Sequence, residues 1–159
     1  MAWSASKIFC AYITDALNRT STFDANSNVI TVALYGNTGT PDQTVTSANS
    51  AYAVGQWVTS GTQGSNEVYQ AGQWAQAGVN LSSITSTFSS NVYTFTAANT
   101  QSGAAATLAN VYGCLVYDNT TTSPADQGMC FNYFGAPNSV SNGTFTIVWS
   151  GSGIFALTL

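Results

Sequence analysis

Thr144-Phe145-Thr146-Ile147-Val148-Trp149, then Ser150-Gly151-Ser152-Gly153, then Ile154-Phe155-Ala156-Leu157-Thr158-Leu159: these residues decide how the rest of the chain is read. Successive side chains of a strand point to opposite faces. The first run therefore puts Phe145, Ile147 and Trp149 on one face, and the second puts Phe155, Leu157 and Leu159 on one face. Two alternating runs joined by a glycine-rich turn predict a β-hairpin.

The same pattern recurs upstream. Val29-Ile30-Thr31-Val32-Ala33-Leu34-Tyr35 is a β-branched run that follows Asn26-Ser27-Asn28 and stops at Gly36-Asn37, which predicts a strand and a turn. Residues 91–96 alternate, with Val92 and Thr94 opposite Tyr93 and Phe95. Residues 108–117 form a near-continuous apolar run, as a central strand does, and 129–134 form another that ends at Gly135. Residues 118–127 read as a polar turn around Pro124. Shorter strands are expected at 67–69, 74–75 and 79–84. Residues 38–64 form a polar stretch too long for a plain connection, with a short helix expected at 48–57.

One helix leads the chain. Ser4 or Ser6 can cap it, and Ile8, Phe9, Tyr12, Ile13, Ala16 and Leu17 fall at helical spacing on one face, with Asn18 as terminator. So short a helix must lean on something, either its own sheet or a partner subunit. The fold expected is mainly β: an antiparallel β-sandwich or barrel of about seven to nine short strands with one N-terminal α-helix. One β-rich domain covers 1–159, with 1–18 as its helical N-terminal segment.

Charge narrows the function. Charged residues make up 5% of the 159, and there is no histidine. That removes histidine general bases, histidine metal ligands and the imidazole pH switch. Lys7 and Arg19 are the only cations, so no nucleic-acid footprint exists. No apolar run reaches the roughly 18 residues that span a bilayer, so no membrane partner is expected. Met1-Ala2-Trp3-Ser4 lacks the basic opening of a secretion signal, and residues 8–17 are interrupted by Thr14 and Asp15. The expectation is a product kept in the cytosol that makes it. Cys10, Cys114 and Cys130 then read as reduced, buried thiols, although Cys114 and Cys130 fall in strands that could be neighbours. No CxxC suggests zinc, and no cofactor is expected.

Catalysis has little to work with. Asp118 and Asp126 flank one turn and Glu67 stands alone, so no carboxylate pair spans a cleft as a glycosidase requires. Asp118, before Asn119-Thr120, suits a turn former that bonds its own backbone. The chain is read as no enzyme. The aromatics leave two readings open: Trp57, Tyr69, Trp74 and Tyr93 form either a glycan-stacking platform or core and interface.

Several stretches together resemble a known group. They include Met1-Ala2-Trp3-Ser4-Ala5-Ser6-Lys7-Ile8-Phe9, Val32-Ala33-Leu34-Tyr35-Gly36-Asn37-Thr38-Gly39-Thr40-Pro41-Asp42 and Tyr112-Gly113-Cys114-Leu115-Val116-Tyr117-Asp118. Ala125-Asp126-Gln127-Gly128-Met129-Cys130-Phe131-Asn132-Tyr133-Phe134-Gly135 and Gly143-Thr144-Phe145-Thr146-Ile147-Val148-Trp149 complete the set. The arrangement resembles small structural, head-decoration-like virion proteins of tailed bacteriophages. That resemblance implies a capsid decoration or cement protein located in the virion. Its implied partners are the major capsid protein and copies of itself, in a homotrimer or other symmetric cluster. Trp3, Ile8, Phe9 and Trp57, at the N-terminal segment and the long loop, are the expected contact residues. The competing expectation is a tail or fibre component that binds a host-surface glycan.

Overall fold

The computed structural model describes residues 3–20, 24, 27–58 and 66–159. The chain is mainly β, with antiparallel sheets in a β-sandwich-like arrangement, an N-terminal helix and a short second helix. Its strands are β1 (Lys7–Ile8), β2 (Ile30–Tyr35), β3 (Val79–Asn80), β4 (Thr85–Ser89), β5 (Val92–Thr96), β6 (Thr100–Gln101), β7 (Ala106–Thr122), β8 (Ala125–Gly143), β9 (Thr146–Ile147) and β10 (Phe155–Thr158). Helix α1 spans Cys10–Asn18, α2 spans Ser47–Ser50, and a 3-10 turn covers Gly55–Trp57. Among the described residues three sheets form, in the orders β1-β8-β7-β2-β3, β10-β5-β4 and β6-β9.

The five-stranded sheet is the frame. All six residues of β2 are buried, so its β-branched run is covered on both faces. β2 pairs with β7 from Ile30 opposite Asp118 to Tyr35 opposite Gly113. β7 and β8 form one long hairpin that turns between Thr122 and Ala125, and register shifts break it into segments. Such bulges bend a strand and let its ends serve different neighbours. The buried residues form a core cluster running from Trp3 to Phe155.

The two predicted strands 108–117 and 129–134 lie inside β7 and β8, but both elements run much further. Gly135 does not end β8; it adopts φ 82 within it. Residues 67–69 and 74–75 form only isolated bridges, Tyr35 to Glu67 and Gln70 to Trp74. Of 79–84 only Val79–Asn80 pairs, while the hydroxyl-rich β4 was not anticipated. The short helix expected at 48–57 divides into α2, capped by Thr46 Oγ1, and the 3-10 turn. The stretch 38–64 is described as far as residue 58; its remainder, like Met1, Ala2 and Asn26, lies outside the described residues.

Three expectations are corrected. The N-terminal segment is not helical throughout, because Lys7 and Ile8 pair with Phe131 and Cys130 of β8 before α1 begins. Neither Ser4 nor Ser6 caps the helix; Phe9 occupies the N-cap without a side-chain bond, and Ser6 Oγ accepts from the Tyr133 N–H (2.9 Å). Phe9 and Tyr12 are buried, but Ala16 and Leu17 reach solvent. The C-terminal hairpin is also absent. Ser150 and Gly153 do form the turn, yet β9 leaves to pair with β6 and β10 with β5. The reason is packing. Phe145 sits against Trp74, whereas Phe155 stacks on Phe95 at 5.2 Å, so the two runs are claimed by different sheets.

Candidate functional site

The expected contact residues lie inside the fold. Trp3, Phe9 and Trp57 are each at most 2% exposed, and only Ile8 is partly open. Trp3 lies 5.9 Å from both Trp57 and Phe131, and Phe9 lies 5.4 Å from Phe131. Tyr35 packs edge-on against Trp57 at 4.7 Å. Two glycines permit this layer. A Cβ on Gly113 would strike the Trp3 ring and the Asn132 carbonyl, and one on Gly128 would strike the Phe9 ring. Trp3, Phe9 and Trp57 thus face the sheet and offer no open side chain to a partner, while Ser4, Lys7 and residues such as Thr38, Gly39, Thr40 and Asp42 around them stay exposed. Phe9 and Tyr12 of the amphipathic pattern are buried within the chain, while Ala16 and Leu17 are not.

The four glycan-stacking candidates do not assemble. Trp57 belongs to the aromatic layer, and Trp74 is fully buried against Phe145. Tyr93 is half-buried near Phe155, with its hydroxyl donating to Ser86 Oγ (3.0 Å), and Tyr69 stands exposed on a loop. Among the described residues no ring contact joins any two of them. Sequence composition reports aromatic content but not which rings a sheet will cover.

The carboxylates are structural braces. Glu67 accepts from the Tyr52 hydroxyl and the Ala77 N–H (both 2.8 Å), while the Tyr117 hydroxyl donates to the Ala77 carbonyl (2.7 Å). Burial pushes the Glu67 carboxyl up, outweighing those two bonds. Asp118 is buried and accepts from Asn28 Nδ2 (2.6 Å) and from the N–H of Thr120 two residues on (2.8 Å), the local bond of a turn former. Burial and then the Asp118 charge raise Asp126. Asp15 is lowered, because bonds from Ser47, Thr20 and Gln127 outweigh its desolvation. Among the described residues no three potential ligands gather to hold a metal ion.

The thiols divide. Cys114 and Cys130 are buried and free, but Cys10 is exposed, which corrects the reading of all three as buried. Cys114 faces Asn132 and Cys130 faces Val116, so the two thiols are diagonal neighbours on β7 and β8. Diagonal pairs stand roughly 7–8 Å apart, too far for a disulfide without backbone movement.

What the structure does assemble lies elsewhere. Tyr133, Phe134 and Asn138 of β8, with Ser6 and Trp149, line an open cleft of about 340 Å³ between β8 and the 145–150 segment. The Trp149 Nε1–H donates to Thr100 Oγ1 (3.2 Å), and the Tyr133 hydroxyl donates to the Gly135 carbonyl (2.7 Å), so both rings are held in place. The sequence carried the signal in Tyr133-Phe134 and Trp149. Gly135 was read as a strand end and Trp149 as a hairpin face, which separated them.

The cleft belongs to an uncharged part of the chain. All eight charged residues fall between Lys7 and Glu67 or at Asp118 and Asp126, so 68–117 and 127–159 contain none. These segments hold the whole three-stranded sheet and both strands of the two-stranded one. No family model, no curated protein and no solved structure matches this chain.

Proposed function

We propose that this chain is a virion structural protein, a head-decoration or cement protein that binds an assembled shell through neutral contacts. The observation that carries the reading is the charge-free portion with its open strand edges. β4 is an edge strand with no charged residue, and Phe88 on it is 61% exposed. Val148 and Leu159, 72% and 80% exposed, lie in the same charge-free segments. An edge without charges is open to pairing with another chain, and a low charge does little to keep copies apart. Such a surface suits repeated contacts with copies of itself and with the major capsid protein. The resemblance to phage head-decoration proteins points the same way. The mechanism is thermodynamic: a protein that binds the assembled shell and not its separated subunits stabilises that shell by mass action.

Cryo-electron microscopy of the virion carrying this protein tests the reading. Density in symmetric clusters on the head is the expected result. Density confined to the tail, neck or fibres would overturn it.

A further inference from the structure

We propose that the cleft between β8 and the 145–150 segment is a binding site for a neutral saccharide. The inference does not rest on the location of the protein in a virion. It rests on what lines the cleft and on what the neighbouring strand edge refuses.

The lining mixes aromatic surface with uncharged hydrogen-bonding groups. Phe134, Tyr133 and Trp149 are among the lining residues, and aromatic surface is complementary to the C–H face of a sugar ring. Ser6 keeps its hydroxyl proton to donate, since its oxygen accepts from the Tyr133 N–H. Asn138 donates through Nδ2 to the Ala136 carbonyl (2.8 Å), which leaves its Oδ1 to accept. None of the twelve lining residues is Asp, Glu, Lys or Arg, so an ionic ligand would find no counter-charge there. The volume lies within the range of small-ligand pockets, about 300–1,000 Å³. An adjoining depression shares Ser6 and Asn132 and carries Lys7, which makes charged sugars the necessary control.

A peptide strand is the other occupant such a cleft suggests, and the β8 edge is poorly built for one. β1 covers β8 only at Phe131 and Cys130. Beyond them the Tyr133 N–H is already given to Ser6, Gly135 turns to φ 82, and Pro137 has no N–H. Strand addition needs a run of free backbone donors and acceptors, and these features interrupt it. A saccharide needs only the side chains.

The test is titration of the full chain with neutral oligomers of glucose, galactose and N-acetylglucosamine, beside uronic-acid and sialylated oligomers. Saturation-transfer NMR and tryptophan emission are the readouts. At least one neutral oligomer is expected to bind and to shift the emission. Trp149→Phe should abolish the emission shift. Asn138→Ala, at an exposed position, should weaken the dissociation constant about tenfold, as loss of one good hydrogen bond does. Four results would each overturn the proposal: no neutral oligomer binds at millimolar concentration; charged oligomers bind in preference; binding is unchanged in both variants; or the variants dissociate an oligomer of the chain while saccharides leave the wild type untouched. The last would assign the cleft to a second copy.

Discussion

Two sets of aromatic residues in this molecule are alike in composition and differ in how far they are covered. Trp3, Phe9, Trp57 and Phe131 are closed against the five-stranded sheet, while Tyr133, Phe134 and Trp149 stand along an open cleft. The backbone beside them differs as well. Gly113 and Gly128 let Trp3 and Phe9 press onto the sheet, whereas nothing lies within 4 Å of where a Cβ on Gly135 would be. The closed cluster also accepts a penalty that the open one avoids. Among the described residues the indole N–H groups of Trp3 and Trp57 have no hydrogen-bond partner, but that of Trp149 has Thr100. An aromatic side chain burying 150–250 Å² gains about 4–6 kcal/mol, against about 1–3 kcal/mol for one unpaired donor. Burial wins, and the sheet keeps its tryptophans.

The largest effect should come from cutting one ring out of each cluster. Trp57→Ala is expected to lower unfolding stability by about 3–5 kcal/mol, the range for a large aromatic removed from a core. Trp149→Ala should lose about 1–2 kcal/mol, because the ring is only half-buried. Urea unfolding of both variants decides the matter. Equal losses would mean that the cleft is core and that the comparison fails.

Smaller changes at glycine probe the backbone cause. Gly113→Ala places a methyl against the Trp3 ring and the Asn132 carbonyl, and overpacking of that kind loses about 1–3 kcal/mol. Gly135→Ala meets no atoms but takes a left-handed φ of 82, worth about 1–2 kcal/mol of strain. Gly151→Ala meets neither obstacle and should change stability by less than about 0.5 kcal/mol. If Gly113→Ala is as mild as Gly151→Ala, then Trp3 is not held by close approach to the sheet.

The regions should also differ in their response to pH, since the cleft segments carry no Asp, Glu, Lys or Arg. Glu67 is raised in the folded chain by burial, so its protonated form is the favoured one. The stability it contributes is fully present below the usual glutamate range and is lost as pH rises through the raised value. Asp15 runs the other way: its contribution is present above the usual aspartate range and is lost as pH falls through the lowered value. Urea midpoints measured from acid to neutral pH should show Glu67→Gln abolishing the first loss. Asn138→Ala should move the whole curve without changing its shape. A change of shape in Asn138→Ala would tie the cleft to the charged groups.

Much of the frame was legible in the sequence, and the reason is local. The run 29–35 became β2 at Ile30–Tyr35, and the alternation at 91–96 became β5 at Val92–Thr96, because each strand's burial pattern is its own. The length of β7 and β8 was hidden. Gly135 is a turn-type residue that reads as a strand end, yet here it sits within a bulged strand, as does Asn110 at φ 56. The C-terminal turn was legible while its strand partners were not, since pairing depends on which distant ring claims Phe145 and which claims Phe155. The same limit explains the aromatics. Whether a tryptophan is covered depends on a glycine on another strand, and no spacing rule within one segment carries that information.

The smallest perturbation gives the sharpest reading of the comparison. Trp3, Trp57 and Trp74 are shielded from solvent, and Trp149 is the one tryptophan partly open to it. Acrylamide should therefore quench one class of emission readily and leave the rest largely protected. Trp149→Phe is expected to remove the accessible class with little change in the unfolding midpoint. Trp74→Phe should leave that class intact, and it also deletes a buried donor with no partner among the described residues, which offsets part of the volume lost. Quenching that persists in Trp149→Phe would show that the aromatic layer opens to solvent on its own. The N-terminal segment and the 38–57 loop would then return as candidate contact surfaces, because a layer that opens can exchange its internal partners for those of another subunit.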